Sequence, residues 1–235
     1  MQPESRFLMA YCERLGAPAF WAEPLNALTN AGFLLAAGLA LWLWRQRQPR
    51  DQAGLVLIGL IIAIGIGSFL FHTIPNRITV LLDVVPIQGF ILLYLGLVIR
   101  RFLGAPLWLA LAGPLLFLGA AFLFVEAMGP RSLRGSIGYV PALLALFGFG
   151  LAMARRSLVV ASMRPGLWDD KARQAARALL IAGGLFTLSL TLRTLDQPLC
   201  SAWPYGLHFL WHLLNATVLG LLALAALRAG ALTPR

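Results

Sequence analysis

Seven stretches of roughly twenty almost uninterrupted apolar residues constrain this chain more than any other feature. They lie near residues 24–44, 53–73, 79–99, 106–125, 137–154, 175–193 and 206–227. Each is long enough to cross a hydrocarbon core about 30 Å thick as a helix, and a helix satisfies its own backbone polar groups where lipid offers none. None shows the alternation of a membrane barrel strand. The fold expected is all-α, an integral membrane bundle of seven transmembrane helices. The stretches between the runs leave no linker for a second domain, so residues 1–235 read as one seven-helix domain preceded by a tail, 1–23.

Composition supports this. Only 12% of the residues are charged and 60% are hydrophobic, against roughly 25% charged in a soluble protein, which leaves too few polar groups to cover a water-facing surface. The net charge of +10 is explained by topology. If the spans alternate, one side holds six Lys and Arg: Arg6, Arg14, Arg77, Arg131, Arg134 and Arg193. The other holds thirteen: Arg45, Arg47, Arg50, Arg100, Arg101, six within 155–177, Arg228 and Arg235. The excess predicts an external N-terminus and a cytoplasmic C-terminus. These cations are scattered over short loops with no aromatic-lined module beside them, which argues against nucleic acid as a partner. The tail lacks the compact apolar core of a signal peptide and is expected to stay attached. Richness in Ala, Leu and Arg with short loops suggests a bacterial inner membrane.

Cys12 and Cys200 are the two cysteines, too few for a cysteine-ligated zinc or iron–sulfur site. Both fall on the external side, where a bridge forms if their Cα atoms approach within about 7 Å. The alternative is a pair of buried thiols.

Polar residues inside apolar runs are costly and mark function. The chain has three histidines. His72 ends the second run, while His208 and His212 open the seventh, four apart and so on one helix face. Asp83 lies early in the third run, and Ser68 precedes His72 by one turn. With alternating spans all five share the outer leaflet. Three neutral imidazoles hold Zn²⁺ with a fourth position open to water, the arrangement of a catalytic zinc. The alternative for His208 and His212 is interhelical hydrogen bonding. A bis-histidine haem needs ligands on opposite faces of the iron, and a di-iron centre needs more ligands than are present. A serine protease built on Ser68 and His72 would draw nucleophile and base from successive turns of one helix, which disfavours it. Asn215 shares the face of His208 and His212 and is a candidate either to back a ligand or to bond a neighbouring helix.

The stretch Gly65-Ile66-Gly67-Ser68-Phe69-Leu70-Phe71-His72, then Asp83, then His208-Phe209-Leu210-Trp211-His212 resembles the alkaline ceramidases. These sit in a wider group of seven-helix membrane proteins that includes adiponectin-type receptors and GPI-anchor lipid-remodelling proteins. Tyr11-Cys12-Glu13 and Trp21-Ala22-Glu23-Pro24-Leu25-Asn26 are similar to the ceramidase pattern as well, so the likeness spans residues 11–215. The Ser, Asp and His pattern is common to the group, whereas the Gly-x-Gly-Ser wording and the Cys-Glu tail point to the ceramidase branch. The resemblance implies zinc on His72, His208 and His212, with Asp83 and Ser68 around a metal-bound water. It implies hydrolysis of the amide of ceramide or a related N-acyl lipid, releasing a fatty acid and a long-chain amine such as sphingosine. The relatives leave two alternatives: a lipid esterase of the GPI-remodelling type, or a lipid receptor or sensor with structural zinc. The resemblance further implies Ca²⁺ in the tail, on Glu13, Glu23 and the Tyr11 carbonyl. Ala10 stands where the family has an aspartate, and Leu15 or Gly16 where it has an asparagine; a hard cation loses affinity with each carboxylate removed. Alternatively Glu13 and Glu23 cap the first helix or pair with Arg6, Arg14 or another arginine.

Overall fold

Each apolar run becomes a helix in the computed structural model, which describes residues 11–14, 17–46, 51–163 and 169–229. Arg6, Ala10, Leu15, Gly16, Arg47, Arg50, Arg164 and Arg235, on which part of the charge count and of the calcium pattern rests, lie outside these residues. The seven long helices are α1 (Pro24–Arg45), α2 (Gln52–Thr73), α3 (Arg77–Phe102), α4 (Leu107–Met128), α5 (Val140–Met163), α6 (Asp170–Leu195) and α7 (His208–Ala229). All are long and apolar enough to cross a membrane, counting the 3₁₀ turns Ser132–Tyr139 that lead into α5.

Helix ends differ from the apolar windows where polar residues continue a helix. The fifth span runs over Ser132–Met163 instead of 137–154, and α6 starts at Asp170 instead of near 175. Much of 155–173, read from sequence as a turn, is therefore helical. Charges such as Arg155 and Arg173 end the lipid-compatible stretch but are good helix formers. The start of α6 is set by Asp169, whose carboxylate accepts the Ala172 N–H at 2.9 Å. The start of α3 is set by a capping box between Asn76 and Thr79.

Packing is uneven around the bundle. α2 packs on α3, α5 on α6, α6 on α7, and α1 on both α2 and α7. Ala40, Ala182, Ala223 and Ala226 are fully enclosed at these contacts, where small side chains let helices approach closely. By contrast α4 leans on α3 and on the 3₁₀ turns before α5, and forms no extensive contact with α5 itself. Ala110 is its single buried residue. A seam is thus left between α3 and α4 on one side and α5 on the other.

The two ends of the bundle are tied differently. At the end away from the tail, Arg101 makes a two-pronged bond to Asp51 (2.6 and 2.7 Å) and reaches the Ala226 carbonyl at 3.1 Å, joining α3, α2 and α7. At the tail end Cys12 and Cys200 form a disulfide, their Cα atoms 5.2 Å apart. The bridge fastens the tail across the loop that leads into α7.

Candidate metal centre

The last turn of α2 and the first turn of α7 meet at the tail end of the bundle. His72 lies one residue from the end of α2, and His208 and His212 sit one turn apart on α7. Their ring centroids are 5.2 Å (His72–His208), 4.8 Å (His72–His212) and 4.7 Å (His208–His212) apart. One nitrogen from each lies within 4.8 Å of the others. Among the described residues this is the group of three or more potential ligands close enough to share an ion. All three side chains are buried, at 0, 3 and 2% exposure.

The hydrogen bonds around the rings decide which nitrogens are free. Glu23 Oε2 lies 2.5 Å from His72 Nδ1, so that nitrogen carries the proton and donates it, and His72 Nε2 is left with a lone pair and no partner. The Thr29 hydroxyl donates to the Leu25 carbonyl at 2.7 Å, which leaves its oxygen to accept from His212 Nδ1 at 3.1 Å. That fixes the tautomer with a lone pair on His212 Nε2. His208 Nδ1 is buried without a partner. Burying unpaired imidazole nitrogens costs free energy, and a divalent cation offsets that cost. Zinc holds imidazole nitrogens at about 2.0–2.1 Å, so two of its ligands stand ~3.4 Å apart, a separation that modest side-chain rotation reaches from 4.8 Å. The donor set fits zinc.

Ser68, one turn before His72, places its Oγ 3.5 Å from His212 Nε2 and beside the Asp83 carboxylate. A backbone contact delivers Asp83 to this place. Pro86 has no N–H to give the Leu82 carbonyl, the usual partner four residues back. Gly67 of α2 fits against that freed carbonyl so closely that a Cβ there would stand 2.0 Å from Leu82 O and 3.0 Å from Asp83 N. Gly67→Ala is therefore expected to push α3 outward, separate Asp83 from Ser68 and lower hydrolysis by well over tenfold, more than the roughly 1 kcal/mol helix-propensity gain can compensate in stability. Thermal melting and turnover of the variant check this.

The tail completes the site from outside. Arg14, 1% exposed, donates from Nε to Glu23 Oε1 and from Nη2 to the His72 carbonyl at 2.6 Å. Asn26 also donates to Glu23, at 2.9 Å. Burial alone would raise the Glu23 pKa, but the bonds from His72, Arg14 and Asn26 outweigh it and hold the carboxyl below its usual value. Glu13 accepts the Leu25 and Asn26 N–H groups at 2.6 and 2.9 Å, capping α1; its pKa is raised, because burial outweighs those two bonds. The ring of Tyr11 lies 4.1 Å from that of His208 and 5.1 Å from that of His72, as a cover on the cluster. Asp196 accepts from Leu207 and His208 N–H at 2.6 and 2.9 Å and from Cys12 N–H at 3.3 Å, so one carboxylate caps α7 and anchors the tail.

These contacts bear on two expectations for which the sequence left alternatives open. The Glu13 and Glu23 carboxylates implied for calcium are occupied by helix N–H groups and by the Arg14 guanidinium, the arrangement of a cap and a buried ion pair. Asn215, a candidate to back a ligand, receives the Ser189 hydroxyl at 3.1 Å and so joins α7 to α6. Conversely, sequence reading gave no role at the histidines to Thr29, Arg14 or Glu23. The one available signal was Glu23 immediately before an apolar run that carries Asn26 and Thr29 at helical spacing.

Below the histidines opens a cavity of about 90 Å³ between the helices, part of it open to the outside. Ser68, Asp83 and His212 stand at its head. Its wall is otherwise almost wholly apolar and descends past Phe90 and Leu146 to Val98 and Leu222. From Asp83 to Val98 is fifteen residues of α3, a depth of roughly 22 Å. Phe117 of α4 and Ala145 of α5 both line it, so it extends to the loosely packed seam.

The family model described as Ceramidase matches residues 9–232 of the chain. No curated protein matches, and no solved structure does.

Proposed function

This chain belongs to the ceramidase family, and from that premise we propose that it is a zinc-dependent lipid amidase cleaving ceramide or a related N-acyl lipid into a fatty acid and a long-chain amine. The observation that carries the reading is the convergence of three buried imidazoles, two with tautomers set by outer partners, at the head of a deep apolar cavity. His72, His208 and His212 would hold the metal. Bound there, zinc supplies a Lewis acid that makes water nucleophilic near neutral pH.

The chain's own residues account for the remaining steps. Asp83, not one of the three ligands, accepts the proton of the attacking water and returns it to the amine as the C–N bond breaks. Ser68 donates a hydrogen bond to the carbonyl oxygen as negative charge grows on it. Glu23 and Thr29 keep His72 and His212 in the tautomers that face the metal. The apolar cavity takes a long hydrocarbon chain, leaving the amide at its polar head, and the seam beside α4 gives a lipid sideways access. On the charge distribution of the loops the site faces the external leaflet.

The test is to purify the protein, measure its metal, and offer it N-acyl lipids and matched esters while released fatty acid is read by mass spectrometry. Stoichiometric zinc is expected, with amides cleaved, activity lost on zinc chelation and regained on zinc addition. Omitting calcium should leave the rate unchanged, given the partners of Glu13 and Glu23. Active protein without metal, or cleavage of esters alone, would refute the proposal.

A further inference from the structure

Arg193 has no part in the mechanism above, yet it stands beside the site. It lies in the last turn of α6. Its guanidinium carbon is 5.5 Å from the ring centroid of Tyr139 and 5.4 Å from that of Trp211. Both rings line the cavity together with Asp83 and His212, and the Trp211 ring is stacked 6.4 Å from His208. A single ring thus separates this cation from the histidine cluster.

The hydrogen bonding of Arg193 is incomplete. Nη1 donates to Ser136 Oγ at 2.7 Å. No carboxylate among the described residues lies within 4 Å of the guanidinium, and neither of its other nitrogens is sealed off from the surroundings. A guanidinium carries five N–H donors in a planar fork. Cation–π contact with two rings offsets part of the cost of a partly buried charge, but the fork matches two oxygens of a carboxylate or phosphate. A neutral amino-alcohol head would leave it without a charged partner.

We infer that Arg193, set against Tyr139 and Trp211, binds an anionic head group, so that the substrates are N-acyl lipids with a carboxylate or phosphate on the amine side of the amide. This rests on the amidase reading for the reaction but not for the binding. Ser136 takes one N–H of the fork and the guanidinium lies over two rings that line the cavity, which leaves its remaining donors to a head group beside the tail end of the cavity.

N-palmitoylglycine and N-palmitoylethanolamine differ at the head only by carboxylate against hydroxymethyl, and serve as the matched pair. With zinc-loaded protein in detergent micelles, the glycine conjugate is expected to be favoured about tenfold or more in kcat/KM, the scale of a hydrogen bond to a charged group. Arg193→Gln should collapse that preference mainly by raising KM for the glycine conjugate, and Arg193→Lys should restore part of it. Equal turnover of the pair by the unaltered protein, or an equal loss on both through kcat in Arg193→Gln, would overturn the inference. Calorimetric binding of N-palmitoylglycine and of palmitate keeps the question separate from turnover. If neither amide is cleaved, Arg193-dependent binding of N-palmitoylglycine still upholds the anion site, and cleavage of ceramide decides the amidase reading separately. Binding of palmitate alone, or of neither, overturns it, the former by assigning Arg193 to the product carboxylate.

Discussion

Asp83→Asn should keep its zinc and lose hydrolysis by a factor of about 10²–10⁴, the usual contribution of a positioned acid–base group. The substitution preserves shape and leaves the three imidazoles in place, but an amide cannot take up the proton of the attacking water. His208→Ala and His212→Ala should lose metal and turnover together, because each removes one of three ligands from a buried cluster. The measurement is turnover per bound zinc, with metal content determined on the same preparation. Wild-type rates in Asp83→Asn would remove the carboxylate from the mechanism. Full zinc occupancy in His208→Ala would remove the metal site as drawn.

Glu23 offers the second large effect, since it joins two buried systems. It orients His72, and loss of such an outer partner typically costs 10–100-fold in metal affinity. It is also the carboxylate paired with Arg14 at 1% exposure, and removing one member of a buried pair costs about 3–5 kcal/mol. Glu23→Ala is therefore expected to weaken zinc binding and to lower the melting temperature markedly. Combining it with Arg14→Met separates the two: stability should recover, because no unpaired guanidinium remains, while zinc affinity should not. A double variant with restored affinity would show that Glu23 acts on stability alone.

Much of the bundle was legible because lipid imposes a single rule, that an apolar run of sufficient length must be a helix. The histidines were legible for the same reason: imidazoles in apolar runs stand out, and helical spacing puts His208 and His212 on one face. What stayed hidden depended on closure in three dimensions. Glu23 and Thr29 touch His72 and His212 across 49 and 183 residues, separations that no local pattern encodes. Arg193 was one cation in a tally of loop charges, and only its position over Tyr139 and Trp211 distinguishes it. For Glu13 and Glu23 the sequence left calcium binding and capping or pairing with Arg14 side by side, and the cap on α1 and the Arg14 pair are contacts that only the folded tail displays. Helix ends beyond the apolar windows were missed because hydropathy reports where lipid stops, and caps such as Asp169 report where the helix does.

The tail pinned by Cys12 and Cys200 has a consequence for which molecules ever meet the metal. Tyr11 lies over His208 and the three histidines are buried, so on the proposed reading a lipid enters through the gap beside α4 instead of along the bundle axis. On that route a reactant first dissolves in the bilayer and diffuses in two dimensions. Short-chain amides would then be rejected by their partition coefficient, before any pocket contact discriminates against them.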